Sequence, residues 1–289
     1  MENFSFNIIT EAIRTSGPDK IDYMGEMIKY PGVSNQIDAY LCTPEAAGNR
    51  PAVILIHEIW GLDAHIKDVS ERICREGYVV LAPDLFSSAF VPKSMTVENI
   101  RKTMKFFLSI PAEKQRDMEY VKHELTKLAE DDRNVISELM AKLFSLPKDE
   151  LTKELVKAVE FLKASGNVSV DKIGSMGFCF GGGMSINLAC TGSTNACVIF
   201  YGENPSPADK IKNVNGPILG IYGSLDERIN AGLKDLVDAA VTYKKDLEMR
   251  IYPDSPHAFF NDTNPNNYRE KSAKQAWEQV KTFFKRSLS

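Results

Sequence analysis

Short apolar, β-branched runs alternate with longer stretches of helical periodicity along most of this chain. Residues 51–57 (PAVILIH), 78–84 (YVVLAPD), 172–178 (KIGSMGF), 197–202 (CVIFYG), 217–223 (PILGIYG) and 247–253 (LEMRIYP) read as strands. Most are apolar nearly throughout rather than at every second position, which is expected where helices cover both faces of a parallel sheet. Helical patterns lie between them at about 64–76, 147–164, 182–190 and 231–245, with a last one at about 268–285. Two earlier segments, YMGEMIKYPG and IDAYLCTP, look like an antiparallel pair that opens the sheet. Alternating β and α elements predict an α/β fold, a mostly parallel doubly wound sheet in a single domain spanning 1–289.

One stretch breaks this rhythm. Between Pro92 and Pro147 no strand pattern occurs. Met118, Val121, Leu125, Leu128, Val135, Leu139 and Leu143 recur mostly at three- and four-residue steps, which predicts one long amphipathic helix. VENIRKTMKFFLSI, just before it, predicts another. A helical insertion at about 93–147 can pack on the sheet edge, cover an active site as a lid, or serve as an oligomer contact.

Composition removes several function classes. The 289 residues carry a formal charge of −4 and form no basic stripe, which argues against nucleic acid as a partner. No apolar stretch approaches the ~18 residues that suggest a membrane span. The first twenty residues have an acid at position 2 and no apolar h-region, so no signal peptide is expected. Five cysteines, an odd number with no CxxC pair, suggest neither a disulfide framework nor a zinc site, and fit a reducing cytoplasm. Four scattered histidines form no metal motif, and neither metal nor cofactor is expected.

The chemistry is written in 177–183, GFCFGGG. Gly177-Phe178-Cys179-Phe180-Gly181 follows a strand and opens a helix, the setting of a nucleophile elbow with cysteine in place of serine. A nucleophile there takes a strained backbone conformation, its neighbours must be small, and a helix N-terminus favours thiolate over thiol. The alternative is a small buried cysteine among glycines that serve close packing. The rest of the chain bears on the choice. In this fold the acid and then the histidine follow the nucleophile, on loops at strand ends. Asp226 lies just beyond the strand 217–223, and His257, the one histidine after Cys179, lies on the loop after 247–253. Three suitable residue types in that order favour a catalytic triad.

On these residues the chain resembles the dienelactone hydrolase (carboxymethylenebutenolidase) family of α/β-hydrolases, over about 21–284, through HEIWGL, APDLF, GFCFGGG and PHAFF. The resemblance implies a cytoplasmic, cofactor-independent hydrolase of small-molecule esters or lactones that works through a thioester. It implies that Glu58 contacts the thiol and helps to activate it; the alternative is a loop glutamate that is exposed or caps the helix near Ala64. Backbone N–H groups of Phe180 and Ile59 are expected to form the oxyanion hole. Trp60, Phe86 and Tyr201, at strand ends, are candidate pocket residues or structural ones. The family's dienelactone-cleaving enzymes hold the substrate carboxylate with two arginines. Here Ser87 and Ser88 follow APDLF, and Asn261 stands four residues after His257. Lys93, Arg101, Lys105 and Arg228 are the candidate replacements; without one, neutral esters or lactones are expected to serve at least as well as anionic ones. A general carboxylesterase or thioesterase is the alternative enzyme, and a ligand-binding module the alternative without chemistry.

Overall fold

The computed structural model of the chain describes residues 23–45, 48–111, 114, 117–143 and 145–289. The expectation about a signal peptide concerns residues outside these. Among the described residues eight strands form one sheet in the order β1-β2-β4-β3-β5-β6-β7-β8. β1 (Tyr23–Pro31) and β2 (Gln36–Pro44) are antiparallel, and β2 pairs antiparallel with β4 (Val79–Pro83). β3 (Arg50–Ile56), β5 (Val168–Phe178), β6 (Ala196–Phe200), β7 (Ile218–Gly223) and β8 (Leu247–Tyr252) extend the sheet in parallel. This mostly parallel sheet flanked by helices is the α/β-hydrolase arrangement that the alternating pattern and the resemblance imply.

The apolar runs are continuous because both sheet faces are covered. Val53 and Leu55 of β3 point to the same side as Met176, Val198 and Leu219, where α1 (Ala64–Arg75) and α9 (Glu270–Ser287) pack through Ile66, Ile73, Val280 and Phe284. Ala52, Ile54 and Ile56, one position out of phase, face α5 (Lys148–Ala164) and α6 (Phe180–Ala189). Farther along that face, Cys197, Ile199 and Ile218 pack under α6 and α8 (Leu233–Thr242).

In the insertion, α2 (Val97–Ser109) forms as expected, but the long helix over 118–143 is two helices, α3 (Met118–Thr126) and α4 (Glu130–Lys142). The apolar stripe runs on in phase, so nothing in the periodicity marks the break. A straight helix of that length would reach ~39 Å, at 1.5 Å per residue. Broken at 127–129, the segment folds back so that Val121 and Leu125 of α3 meet Ile136 of α4 and Phe106 of α2 in a small core of their own. Glu130, Asp131 and Asp132 in the first turn of α4 suit a new helix N-terminus. Leu139 and Leu143 join the main core beside the sheet.

Candidate active site

β5 ends at Phe178 and α6 begins at Phe180, which leaves Cys179 alone to make the turn, at φ 54° and ψ −116°. A non-glycine residue in such a conformation costs on the order of 1–3 kcal/mol, and its surroundings must hold it there. Here the Cys179 N–H donates to the carbonyl of Phe200 at 2.9 Å, and its own carbonyl accepts from the Gly183 N–H at 3.2 Å. The glycines explain themselves by contact. A Cβ on Gly177 would lie 2.0 Å from the Gly181 carbonyl oxygen, and one on Gly181 would lie 2.2 Å from that of Ile56. Close packing and the tight turn, separate readings of the sequence, are one fact: α6 can start this near the strand ends only without side chains. Cys179 is partly exposed, whereas the other four cysteines are buried.

The next two loops are stitched together. β7 and β8 run in register to Gly223 and Tyr252. Beyond them the Ser224 N–H donates to the Tyr252 carbonyl at 2.9 Å and the Leu225 N–H to that of Ser255 at 3.0 Å. Gly223 permits this, since a Cβ there would meet the Ser255 oxygen at 2.3 Å. The consequence is that Asp226, which caps the short α7 (Glu227–Asn230), puts Oδ2 2.5 Å from His257 Nδ1. Burial pulls the His257 imidazole down, but the hydrogen bond to Asp226 and the influence of the nearby Cys179 sulfur outweigh it and hold the ring at about 10.

Glu58 follows β3 and is almost wholly buried, at 2% exposure. It does not cap α1; Asp63 does, by accepting from the Ile66 N–H at 3.2 Å. Asn261 Nδ2 donates to Glu58 Oε2 at 2.6 Å, and the Tyr201 hydroxyl donates to Oε1 at 3.4 Å. Burial pushes the carboxyl up to about 7, against the pull of Asn261 and of the nearby His257. The loop is fixed from behind by His57, whose Nδ1 donates to the Glu58 carbonyl at 2.6 Å while Nε2 accepts from the Leu85 N–H at 3.1 Å. Burial pulls His57 down, which suits this neutral tautomer.

A cavity of about 260 Å³ opens on Cys179. Ile59, Phe180, Leu143, Leu146 and Ile229 give it an apolar wall, and Lys148, Glu203 and Arg228 supply its charges. Three pocket candidates lie elsewhere. Phe86 is buried against His57 and Phe180. Tyr201 has no exposed surface and sits beneath the site, its ring centroid 5.1 Å from that of His257. Trp60 faces a second cavity with Arg101, Met104 and Lys105. Strand ends bring such side chains near the site, but none of these three is among the residues that line the Cys179 cavity. Of the candidate cations, Arg228 alone lines that cavity; Lys93 lines neither. Ser88 is buried and donates to Glu154 at 2.9 Å, so this position, like Asn261, is committed within the protein. Sequence reasoning missed Lys148 and Glu203; a glutamate just past a strand end was the available signal.

Among the described residues no group of three or more His, Cys, Asp or Glu side chains is disposed to hold a metal ion. No helix among them is long and apolar enough to cross a membrane.

Residues 37–288 match the model of the dienelactone hydrolase family. A protein of Saccharolobus solfataricus named "Putative carboxymethylenebutenolidase" is 41% identical over 263 residues, which cover 91% of this chain and 99% of that one. Among solved structures, a dienelactone hydrolase-like promiscuous phosphotriesterase from metagenomic libraries superposes with a TM-score of 0.69 at 19% identity, over 92% of this chain and 99% of that one.

Proposed function

The chain belongs to the dienelactone hydrolase family, and on that premise we propose that it cleaves esters or lactones through Cys179, His257 and Asp226 by way of a thioester. The observation that supports this most is the position of His257, whose Nδ1 lies 2.5 Å from Asp226 Oδ2 and whose imidazole is held above its ordinary range by Asp226 and Cys179 together. With its proton passed to His257, the Cys179 sulfur attacks the carbonyl carbon, and the carbonyl π electrons move onto oxygen. Phe180 opens α6, so its N–H lacks a helical partner and is free to meet that oxyanion together with the N–H of Ile59. Collapse of the adduct expels the alkoxide, which takes the proton from the imidazolium, and leaves an acyl group on sulfur. His257 then accepts a proton from water as it attacks the thioester, and returns that proton to the departing sulfur or to solvent.

The remaining residues fit supporting roles. Asp226 holds the imidazole with Nε2 toward the sulfur and stabilises its charged form. Glu58, buried within the field of His257, adds negative charge on the same side once ionised. Leu143 and Leu146 give the cavity part of its apolar wall, so the end of the insertion shapes the substrate site.

Kinetics of two variants test the reading. His257→Ala is expected to lower kcat for a chromogenic ester by about 100- to 10,000-fold, the usual worth of a positioned acid–base group. Asp226→Asn should fall in the same direction, because the amide no longer stabilises the charged imidazole and its Nδ2–H2 can hold the ring in the wrong tautomer. Near-wild-type turnover by both would overturn the assignment.

A further inference from the structure

The mouth of the Cys179 cavity holds two cations and one anion, and the anion lies between them. Glu203 Oε2 is 2.7 Å from Lys148 Nζ, and Oε1 is 2.5 Å from Arg228 Nη1. The three come from separate parts of the fold. Lys148 opens α5, Glu203 stands three residues past the end of β6, and Arg228 lies in α7, two residues after Asp226. Glu203 is held in place from below. A Cβ on Gly202 would be 2.4 Å from Gly182 backbone, and one on Gly183 would be 3.3 Å from the Glu203 carbonyl oxygen, so this segment presses on the first turn of α6. The hydrogen bond from Lys148 keeps the Glu203 carboxyl below the usual range, and it is ionised at neutral pH.

We propose that Glu203 is the specificity-determining residue of this site: by occupying both cations at the cavity mouth it makes the cavity select uncharged, apolar esters or lactones over carboxylate-bearing ones. The inference rests on the hydrolase reading above. A substrate carboxylate entering the cavity finds each lining cation already paired with an oxygen of one glutamate. It must displace an acid that is tethered beside the cations and therefore present at high effective concentration. Lys148, Glu203 and Arg228 are about half exposed, so the exchange takes place in a screened setting where a new pair gains little over the old one. The positions at Ser88 and Asn261 offer no cation instead. What the cavity does offer is apolar surface on Ile59, Leu143, Leu146, Phe180 and Ile229.

The test compares a lactone bearing a carboxylate with the same lactone bearing a carboxamide, as the ratio of their kcat/KM values in wild type, Glu203→Gln and Glu203→Asp. Wild type should favour the carboxamide or treat the two alike. Glu203→Gln, which leaves two cations with a neutral partner, should shift the ratio toward the carboxylate by about tenfold or more, the effect of one charge-assisted hydrogen bond. Glu203→Asp should stay closer to wild type, and adding Arg228→Gln to Glu203→Gln should cancel most of the gain. A tenfold preference of wild type for the carboxylate, or an unmoved ratio in Glu203→Gln, would overturn the proposal. Absence of turnover with either lactone would count against the hydrolase reading instead. The ratio can then be read from protection of Cys179 against iodoacetamide by the two compounds, which requires binding alone.

Discussion

Glu58 is the residue whose environment differs most from what a loop position suggests. It is buried, its oxygens accept from Asn261 and Tyr201, and its carboxyl titrates near 7 instead of 4.5. Between those two values the folded protein retains a proton that the unfolded chain has released, so Glu58 lowers stability as pH rises through that window. Above it the full cost is on the order of 3 kcal/mol, and below 4.5 it vanishes. Glu58→Gln keeps the shape and a carbonyl acceptor without the charge. It should raise the midpoint of thermal unfolding at pH 8 and change it little at pH 4.5; equal shifts at both would contradict the assignment. At this scale the sequence was informative for Cys179, Asp226 and His257, because strand-to-loop junctions locate them and each sits where its local pattern put it. The bond from Asn261 to Glu58 was not legible, since it joins residues 203 positions apart.

The element that organises the site is α6, and its glycines differ in what they do. A Cβ on Gly181 would press on the carbonyl oxygens of Ile56 and His57 at 2.2 and 2.5 Å, while one on Gly183 would meet nothing nearer than 3.3 Å. Backbone cannot rotate aside as a side chain can, so Gly181→Ala must push α6 away from β3, at a cost of about 1–3 kcal/mol or more. That movement would also separate the N–H groups of Phe180 and Ile59. Gly183→Ala should be near neutral, because a shift of a few tenths of an ångström relieves its tight 3.3 Å contact with the Glu203 carbonyl oxygen and alanine recovers up to ~1 kcal/mol of helix propensity. Thermal melts and ester turnover of the two variants check this: Gly181→Ala should lose both, and an equal loss from Gly183→Ala would mean that helix-wide strain, not the Ile56 contact, decides. Elements read well from sequence where burial is two-sided, as in β3 and β5. The break between α3 and α4 read badly because periodicity records only which face is apolar. Whether a helix continues or folds back depends on partners such as Phe106, which lie outside the segment.

For the whole molecule, the fold was legible because the strands of a mostly parallel sheet leave a repeated signature of apolar runs and helical stripes. The cavity was not, because its charges converge from Lys148, Glu203 and Arg228, whose spacing in sequence has no meaning until α5, β6 and α7 are assembled. Both features meet in one claim, that this family member works through an acyl group carried on Cys179. The direct measurement is intact-protein mass spectrometry within the first turnovers of an activated ester, followed by peptide mapping. The account predicts one added acyl mass, carried on Cys179, removed by hydroxylamine and absent in Cys179→Ala. An acyl group mapped to another residue, or ester hydrolysis that persists undiminished in Cys179→Ala, would contradict it.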